Sequence, residues 1–260
     1  MLKPKKPSPC ILIVKEAFYL TPHMIRVVFT SPELASRPEG CEGANCKIFL
    51  PAVGQSADAL LAQIADGPRP TVRTYTVRHF RKDVLELDID FVAHGDEGPA
   101  SAFAMAAKPG DFIGFRGPSD VKIKDFYADW YLVAADMSAL PVASAALEAM
   151  PRDARGLAIF EVQTEADVQD IDMPAGVEVR WIIQEDPHVA SVAQEAAIRA
   201  TQLPKGVVQT CIAGESGVIK ALRGFLSNET EIPKQDIYIS GYWKIGLIED
   251  EHQIQKKLDA

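Results

Sequence analysis

The chain has 260 residues, of which 47% are hydrophobic, 24% are charged and 8% are aromatic. This composition excludes collagen-like and disordered classes, and the length fits one large domain or two ordinary ones. The formal net charge of −9 argues against nucleic-acid binding, because a phosphate backbone needs a basic face. A local basic pocket is still compatible with this sum.

No apolar run approaches the ~18 residues that a membrane-spanning helix needs, and Ile11–Val14 is too short for a signal sequence. We therefore expect a cytoplasmic protein with no membrane partner. Cysteines occupy positions 10, 41, 46 and 211. Cys41 and Cys46 lie close in sequence, but no second close pair completes a four-ligand metal site. Free thiols are the favoured interpretation, and the role of these two cysteines is open.

The first ~120 residues predict β structure, because short apolar or alternating runs are separated by turn residues. The clearest run, Leu85–Phe91, places apolar side chains on one face and acids on the other. The apolar, turn-rich stretch 52–70 is interpreted as a long loop containing about one helical turn. The predicted strands are Ile11–Ala17, Met24–Thr30, Cys46–Leu50, Val72–Arg78, Leu85–Phe91 and Asp111–Arg116. Six such strands are typical of a small antiparallel β-barrel.

Beyond residue 125 the pattern alternates between strands and helices, which favours a parallel α/β sheet with helices on both faces. The predicted strands are Tyr131–Ala135, Leu157–Val162, Val177–Ile183, Val207–Ala213 and Asp236–Ser240. The predicted helices are Ala139–Met150, Val189–Ala200 and Val218–Leu226, with Ser138 and Ser216 as candidate N-caps of the first and third. We expect two domains, a β-barrel over 1–124 and an α/β domain over 125–260.

The first candidate site is the strand that begins at Arg73. Strand alternation places Arg73 and Tyr75 on one side and Thr74 and Thr76 on the other. A guanidinium beside an aromatic ring suits a phosphorylated aromatic cofactor, because arginine pairs with phosphate while the ring stacks on a flat heterocycle. The alternative is an ordinary strand with a solvated arginine and a surface tyrosine.

The second candidate site is a glycine turn between a strand and a helix. His94, Gly95 and Gly98 precede Pro99, a residue typical of the first helical position. Small residues let a ligand approach the backbone, and the free N–H groups of a helix N-terminus favour a pyrophosphate. The alternative is a plain helix cap.

The third candidate site is formed by two turns that each follow a predicted parallel strand. One turn contains Asp136 and Ser138, and the other contains Gly214 and Glu215. The carboxyl ends of parallel strands are where such sheets bind ligands. No Gly-x-Gly-x-x-Gly motif is present, so helix capping by Asp136 or Ser138 is an equal alternative. No basic residue can be assigned to a 2′-phosphate, so the choice between NADH and NADPH stays open.

Three segments together resemble the siderophore-interacting protein family, ferric-siderophore reductases of the ferredoxin–NADP reductase superfamily. They are Arg73–Arg78, the run Phe91–Gly95 with Gly98–Ser101, and Gly241–Gly246. The resemblance implies an N-terminal FAD-binding barrel and a C-terminal NAD(P)H-binding domain. It implies that Arg73 contacts the pyrophosphate of FAD, that Tyr75 stacks on the isoalloxazine, and that Thr76 lies by the reactive ring edge.

The resemblance also implies the remaining cofactor contacts. Further FAD-site residues are Thr74, Asp90, Val92, His94, Gly95, Gly98, Ala100 and Ser101. The nicotinamide-side residues are Asp136, Ser138, Ala139, Gly214 and Glu215. Two departures from the family pattern are Phe103 in place of a frequent tryptophan and the turn Ala135–Pro141, which lacks a glycine and an acid.

A set of cations, Lys47, Arg116 and Lys244, matches positions that are basic in the family. Lys244 replaces a more usual arginine and supplies a point charge in place of a planar fork. The ferric siderophore expected as substrate is anionic, for example a catecholate complex, so a pocket of cations is physically reasonable.

The predicted function is therefore an FAD-dependent reductase that takes electrons from NAD(P)H, or from a ferredoxin, and reduces ferric siderophore to release Fe(II). The flavin carries this electron chemistry, so neither a resident metal nor an acid–base residue is required. One alternative is a general flavin or ferredoxin-type reductase without a siderophore site. Another is a non-catalytic protein that binds flavin and siderophore.

Overall fold

The computed structural model describes residues 8–95 and 98–247. The chain divides into two compact units, and the division falls between Val121 and Lys122. The first unit contains an antiparallel sheet, and the second contains a parallel sheet with helices. Within the described residues, no helix combines the length and apolar character that crossing a membrane requires.

The sheet of the first unit has seven strands, and all neighbouring pairs in it are antiparallel. The strands are β1 (Cys10–Thr21), β2 (Met24–Thr30), β3 (Asn45–Phe49), β4 (Val72–Thr76), β5 (His79–Arg81), β6 (Glu86–Val92) and β7 (Phe112–Arg116). Their order is β4-β3-β7-β1-β2-β6-β5. The expected antiparallel β domain is confirmed, but the count of six strands is wrong, because the predicted strand Val72–Arg78 ends early and β5 follows it.

The two edge strands of this sheet, β4 and β5, are consecutive in the chain and are joined by Val77 and Arg78. The Val77 N–H donates to the carbonyl of Ala44, next to β3, whereas the Arg78 N–H donates to the carbonyl of Asp88 in β6. One short segment therefore bonds to both ends of the sheet. This connection gives the unit its barrel-like form. We call the place where β4 and β5 meet the seam, and Arg73 lies beside it in β4.

A single apolar cluster fills the interior of this unit. Phe29, Phe91 and Phe115 are among its fully buried side chains, together with Leu12 and Ile89. Strand alternation places these residues on the inner face, and burying each such side chain stabilises the fold by roughly 1.5–3 kcal/mol.

Two helices accompany this sheet, α1 (Ala57–Asp66) and α2 (Pro99–Ala106). The prediction of a helix after Gly98 is confirmed. The expectation of a loop with about one helical turn over 52–70 is wrong, because α1 is a helix of ten residues within that stretch. Ser56 caps α1 by accepting a hydrogen bond from the backbone N–H of Ala59 at 3.3 Å. Leu60 and Ile64 of α1, one turn apart, pack against Phe49 and Val72.

The second unit has five parallel strands in the order β10-β9-β8-β11-β12. They are β8 (Trp130–Ala135), β9 (Arg155–Val162), β10 (Gly176–Ile183), β11 (Val208–Glu215) and β12 (Ile237–Trp243). The helices are α3 (Leu140–Ala149), α4 (Ala193–Arg199) and α5 (Ser216–Asn228). α4 and α5 share one apolar cluster with the sheet, and α3 packs against β8 and β11 outside that cluster. The predicted parallel sheet with helices is confirmed, although α4 is shorter than expected.

The order of the strands reverses direction at β8, the first strand of the unit, with β9 on one side and β11 on the other. In open parallel sheets, ligands bind in the crevice outside the carboxyl ends of the strands at this point. Asp136 follows β8, and Gly214 and Glu215 end β11. The third candidate site of the sequence therefore lies at the switch point of the sheet.

Candidate functional site

Three polar side chains form a row across neighbouring strands of the first unit. Lys47 of β3 lies opposite Thr74 of β4 on one side and opposite Arg116 of β7 on the other. The Lys47 ammonium donates a hydrogen bond to Thr74 Oγ1. The Arg116 guanidinium lies over the ring of Phe49, 5.5 Å from its centroid. Like charges directly opposite in a sheet are destabilising, so the opposed pair Lys47 and Arg116 costs stability.

Lys47 and Arg116 line a pocket of about 330 Å³. Its walls come from strands β3, β4 and β7, from α1, and from the segment that joins α1 to β4. The lining residues are Lys47, Phe49, Gln63, Ile64, Gly67, Arg69, Pro70, Val72 and Arg116. Three of these are cations and none is an acid, although acids outnumber bases 36 to 27 in the whole chain. The pocket thus has the opposite sign to the protein as a whole.

The structure brings together two of the three predicted substrate cations, Lys47 and Arg116, in this pocket. Lys244 belongs to the second unit and follows β12, where its side chain is partly exposed. Arg69, a third cation of the pocket, was missed. The available signal was Pro68-Arg69-Pro70, a single cation between two prolines directly before a strand.

Neighbouring residues of the first candidate site, on β4, face opposite sides of the strand, as the alternation of a β-strand predicts. Thr74 lies on the side of Lys47, and the ring of Tyr75 contacts the ring of Phe91, with centroids 4.4 Å apart and planes tilted by 41°. Arg73 donates to the carbonyl of Val72 at 2.9 Å, and Thr76 is buried. A guanidinium, an aromatic ring and a hydroxyl are therefore presented in one short strand.

Asp90 and Val92, two further residues predicted for the cofactor site, lie on β6. Arg26 binds the Asp90 carboxylate with two hydrogen bonds, at 2.7 and 2.8 Å, and the Arg78 guanidinium lies 3.9 Å from it. Val92 pairs with Met24 in the ladder between β2 and β6. The charge of Asp90 is thus matched by Arg26 of β2 and by Arg78 of the connection between β4 and β5.

The start of α2, from Gly98 onward, has no side-chain cap. Gly98 is the N-cap and offers no side chain to the N–H groups of the first turn, at Ala100 and Ser101. A Cβ at Gly98 would lie 2.5 Å from the His94 ring, and Gly95 has a φ of +87°. Ser101 is buried, and its hydroxyl accepts from the His94 N–H at 3.2 Å.

At the turn that follows β8, the side chain of Asp136, and not that of Ser138, accepts hydrogen bonds from the backbone N–H groups that precede α3. Its Oδ1 accepts hydrogen bonds from the N–H and hydroxyl of Ser138 and from the N–H of Ala139. Ala139 is the N-cap residue of the helix, so the prediction that Ser138 is the N-cap is wrong. The Trp243 indole donates to Asp136 Oδ2 at 2.7 Å. Burial raises the pKa of Asp136, and these hydrogen bonds oppose that rise.

The neighbouring turn is built in the same way around Glu215, which is the N-cap of α5 in place of the expected Ser216. Its carboxylate accepts from the N–H groups of Gly217 and Val218, and from that of Ile245 at 3.3 Å. Gly214 has a φ of +152°, and a Cβ there would lie 2.7 Å from Asp136. The two turns therefore meet. Asp136 also bonds to Trp243 at the end of β12, and Glu215 bonds to Ile245 just after it. Trp243 was missed by the sequence analysis.

All four cysteines are buried free thiols. Burial raises the pKa of Cys41 and Cys211 to about 12 and raises that of Cys46 further. These thiols are therefore protonated at neutral pH and are poor nucleophiles. Across residues 8–95 and 98–247, no group of three or more potential metal ligands is gathered.

An antiparallel sheet followed in the chain by a parallel sheet with helices resembles the fold of solved ferredoxin reductases. A ferredoxin reductase of carbazole 1,9a-dioxygenase superposes with a TM-score of 0.67, covering 91% of this chain and 67% of that chain. At 16% sequence identity this likeness defines the fold alone.

The particular family follows from closer relatives. Residues 13–122 match the model of the siderophore-interacting FAD-binding domain, and residues 128–246 match that of the siderophore-interacting protein. The chain is 34% identical to the ferric vibriobactin reductase ViuB of Vibrio cholerae, covering 92% of this chain and 90% of that protein. The siderophore-interacting protein SipS of Aeromonas hydrophila superposes with a TM-score of 0.86 at 36% identity, covering 98% and 99% of the two chains. This chain belongs to the siderophore-interacting protein family.

Proposed function

We propose that this protein is an FAD-dependent reductase that takes electrons from NAD(P)H and reduces a ferric siderophore, so that iron is released as Fe(II). The observation that carries the proposal is the similarity to a ferric vibriobactin reductase along nearly the whole chain. We place the activity in the cytoplasm, because four buried free thiols suit a reducing compartment.

The first unit has the features that FAD requires. When bound, FAD would supply the conversion of an electron pair from a nicotinamide into single electrons, which is chemistry of the cofactor itself. The strand Arg73–Thr76 supplies a cation for phosphate and a ring for the isoalloxazine. The start of α2 has no side-chain cap, and the absence of a Cβ at Gly98 leaves room beside the His94 ring. Such a helix start suits the pyrophosphate. We assign Ala100 and Ser101 to this contact.

We assign nicotinamide binding to the second unit, within residues 125–260, and FAD binding to the barrel unit, within 1–124. The support for the nicotinamide site is the switch point between β8 and β11. Asp136 and Glu215 cap the two helices that start there and hold their turns rigid. In this proposal Ser138, Ala139 and Gly214 form the surface against which the dinucleotide lies.

We assign the ferric chelate to the pocket that contains Lys47 and Arg116. Its positive lining in an acidic protein concentrates anions locally. An anionic ligand also explains why two cations stand directly opposite each other at a cost in stability. Within the class of siderophores we favour catecholate complexes, which carry the largest negative charge, and a ferredoxin is the alternative electron donor.

The experiment that tests this function is an anaerobic assay of the purified, FAD-loaded protein. NADH or NADPH is supplied with a ferric tris-catecholate complex, and Fe(II) is detected with a chromogenic chelator. We expect Fe(II) to form faster than with free FAD at the same concentration. Flavin reduction without Fe(II) formation would favour a general flavin reductase. No flavin reduction by either nicotinamide would favour a ferredoxin donor or a non-catalytic binding protein.

A further inference from the structure

We propose that Arg69 is a third anion-binding side chain of the chelate pocket, and that it selects highly charged chelates over neutral ones. The inference rests on the proposed function, because it takes the ferric chelate to be the ligand of this pocket. Arg69 lines the same pocket as Lys47 and Arg116. It enters from the segment between α1 and β4, whereas the other two cations come from strands β3 and β7. Cations therefore reach the pocket from two sides, from the sheet and from the segment before β4.

The charge of Arg69 is available to a ligand. Across the described parts of the chain, Arg69 and Arg116 form no ion pair with an acid. The lining of the pocket contains no carboxylate that could neutralise them. Most other arginines of the described chain are paired, as Arg26 is with Asp90 and Arg81 with Asp88. Two unpaired guanidiniums in one concave site of an acidic protein point to an anionic ligand.

The backbone holds Arg69 in place before any ligand arrives. It stands between Pro68 and Pro70, whose rings restrict the local backbone. The Gln63 side chain donates to the carbonyl of Pro68 at 2.9 Å, and the Leu50 N–H donates to the carbonyl of Thr71 at 2.9 Å. The segment is thus pinned on both sides of Arg69, so a bound anion orders mainly the side chain, and less binding energy is lost to ordering.

The apolar part of the pocket indicates which anions fit. Phe49, Ile64 and Val72 line it beside the cations, and Phe49 already carries the Arg116 guanidinium on its face. Small inorganic anions cannot use such a surface, whereas a chelate with aromatic ligand rings can contact the apolar wall and the cations together. We therefore infer that the preferred ligand is an aromatic chelate of high negative charge.

The test measures binding of two ferric complexes to the oxidised, FAD-loaded protein by quenching of tryptophan fluorescence. One probe is Fe(III) held by a hexadentate tris-catecholate ligand, with a charge of about −3 at neutral pH. The other is a neutral Fe(III) complex of a hexadentate tris-hydroxamate. The variants are Arg69→Ala and Arg69→Lys. The control is Lys108→Ala, which removes one exposed charge from the same unit away from this pocket.

We expect Arg69→Ala to raise the dissociation constant of the anionic complex by about threefold to fivefold, because Arg69 is exposed and one solvent-screened charge contact is lost. Arg69→Lys should lower the affinity for the anionic complex by about twofold, and Lys108→Ala should lower it by less than that. Affinity for the neutral complex should stay unchanged in all variants. Equal affinities of Arg69→Ala and Lys108→Ala for the anionic complex would overturn the inference. If wild-type protein binds neither complex, the proposed function itself fails.

Discussion

At the scale of single residues, the proposed cofactor and chelate sites are separated by what each side chain of β4 faces. Thr74 points to the row of cations and bonds to Lys47, whereas Tyr75 points to the core and touches Phe91. In the proposed assignment, this strand contributes to two neighbouring sites through alternate residues, and Thr74, which the family resemblance places in the FAD site, lies on the chelate side. Substitutions at adjacent positions should therefore affect different ligands.

Tyr75→Ala should weaken FAD retention, because an aromatic stack is worth about 1 kcal/mol beyond the area that it buries. The fraction of FAD kept after gel filtration, and the dissociation constant from flavin fluorescence, measure the effect. Tyr75→Phe keeps the ring and is the matched control, with retention close to wild type. Equal losses in both variants would show that the hydroxyl, not the ring, holds the flavin.

Lys47→Gln should stabilise the protein while weakening chelate binding. Removing one of two opposed cations relieves a repulsion of roughly 0.2–1 kcal/mol, and the glutamine amide can still donate to Thr74. Chemical denaturation of the FAD-loaded variant and wild type gives the difference in unfolding free energy. A less stable variant would mean that the hydrogen bond to Thr74 outweighs the repulsion from Arg116.

At the scale of elements, the seam of the barrel depends on a charge cluster at its edge. β5 has only three residues, yet His79 and Arg81 both bind Asp88 of β6. Burial acts to raise the pKa of Asp88, but hydrogen bonds from His79 and Arg81 outweigh it and lower the pKa to about 2. The ionised carboxylate therefore helps to hold β5 against β6.

Asp88→Asn should lower the unfolding free energy at neutral pH by on the order of 1–2 kcal/mol, because the ion pair with Arg81 is lost. The loss is no larger because Arg81 is partly exposed and solvent weakens the pair. A lowered folded-state pKa adds stability above the unfolded value near 4, and that stability is lost as the pH falls through about 2. The stability difference between wild type and variant should therefore shrink between pH 4 and pH 2. A difference independent of pH would contradict this linkage.

Elements with a strong local pattern could be predicted from the sequence, and elements without one could not. Strands with strong alternation, such as β6, and the strand–helix alternation of the second unit were predicted because local pattern and tertiary burial agree there. β5 was missed, because its pairing comes from the seam and not from its own three residues. α1 was missed because prolines and glycines flank it. Its helical signal was the capping Ser56 and the one-turn spacing of Leu60 and Ile64.

At the candidate sites, residue types were predictable but partners were not. Lys47 and Arg116 are 69 positions apart, and only the register of β3 and β7 brings them opposite each other. The capping role of Asp136 was one of two open alternatives in the sequence. It became clear from its bonds to Ser138, Ala139 and the distant Trp243. Long-range pairing of this kind leaves no local pattern.

At the scale of the whole molecule, the proposed reaction divides into two half-reactions assigned to two units. We assign nicotinamide binding to the parallel sheet and chelate binding to the barrel unit. Each unit has its own core and its own match to a family model. A substitution at one site should therefore change one half-reaction and spare the other.

Ser138→Phe should slow the reduction of bound flavin by NAD(P)H, because a bulky ring at the start of α3 obstructs the crevice outside β8 and β11. Reoxidation by a ferric chelate should stay near wild type, since the barrel unit is untouched. Ser138→Ala is the control. It removes the hydroxyl bond to Asp136 but leaves the backbone N–H bond that caps the turn, so it should behave nearly as wild type. Stopped-flow absorbance of the flavin follows each half-reaction separately. Equal slowing of both half-reactions by Ser138→Phe would mean that this turn does not belong to the donor site alone.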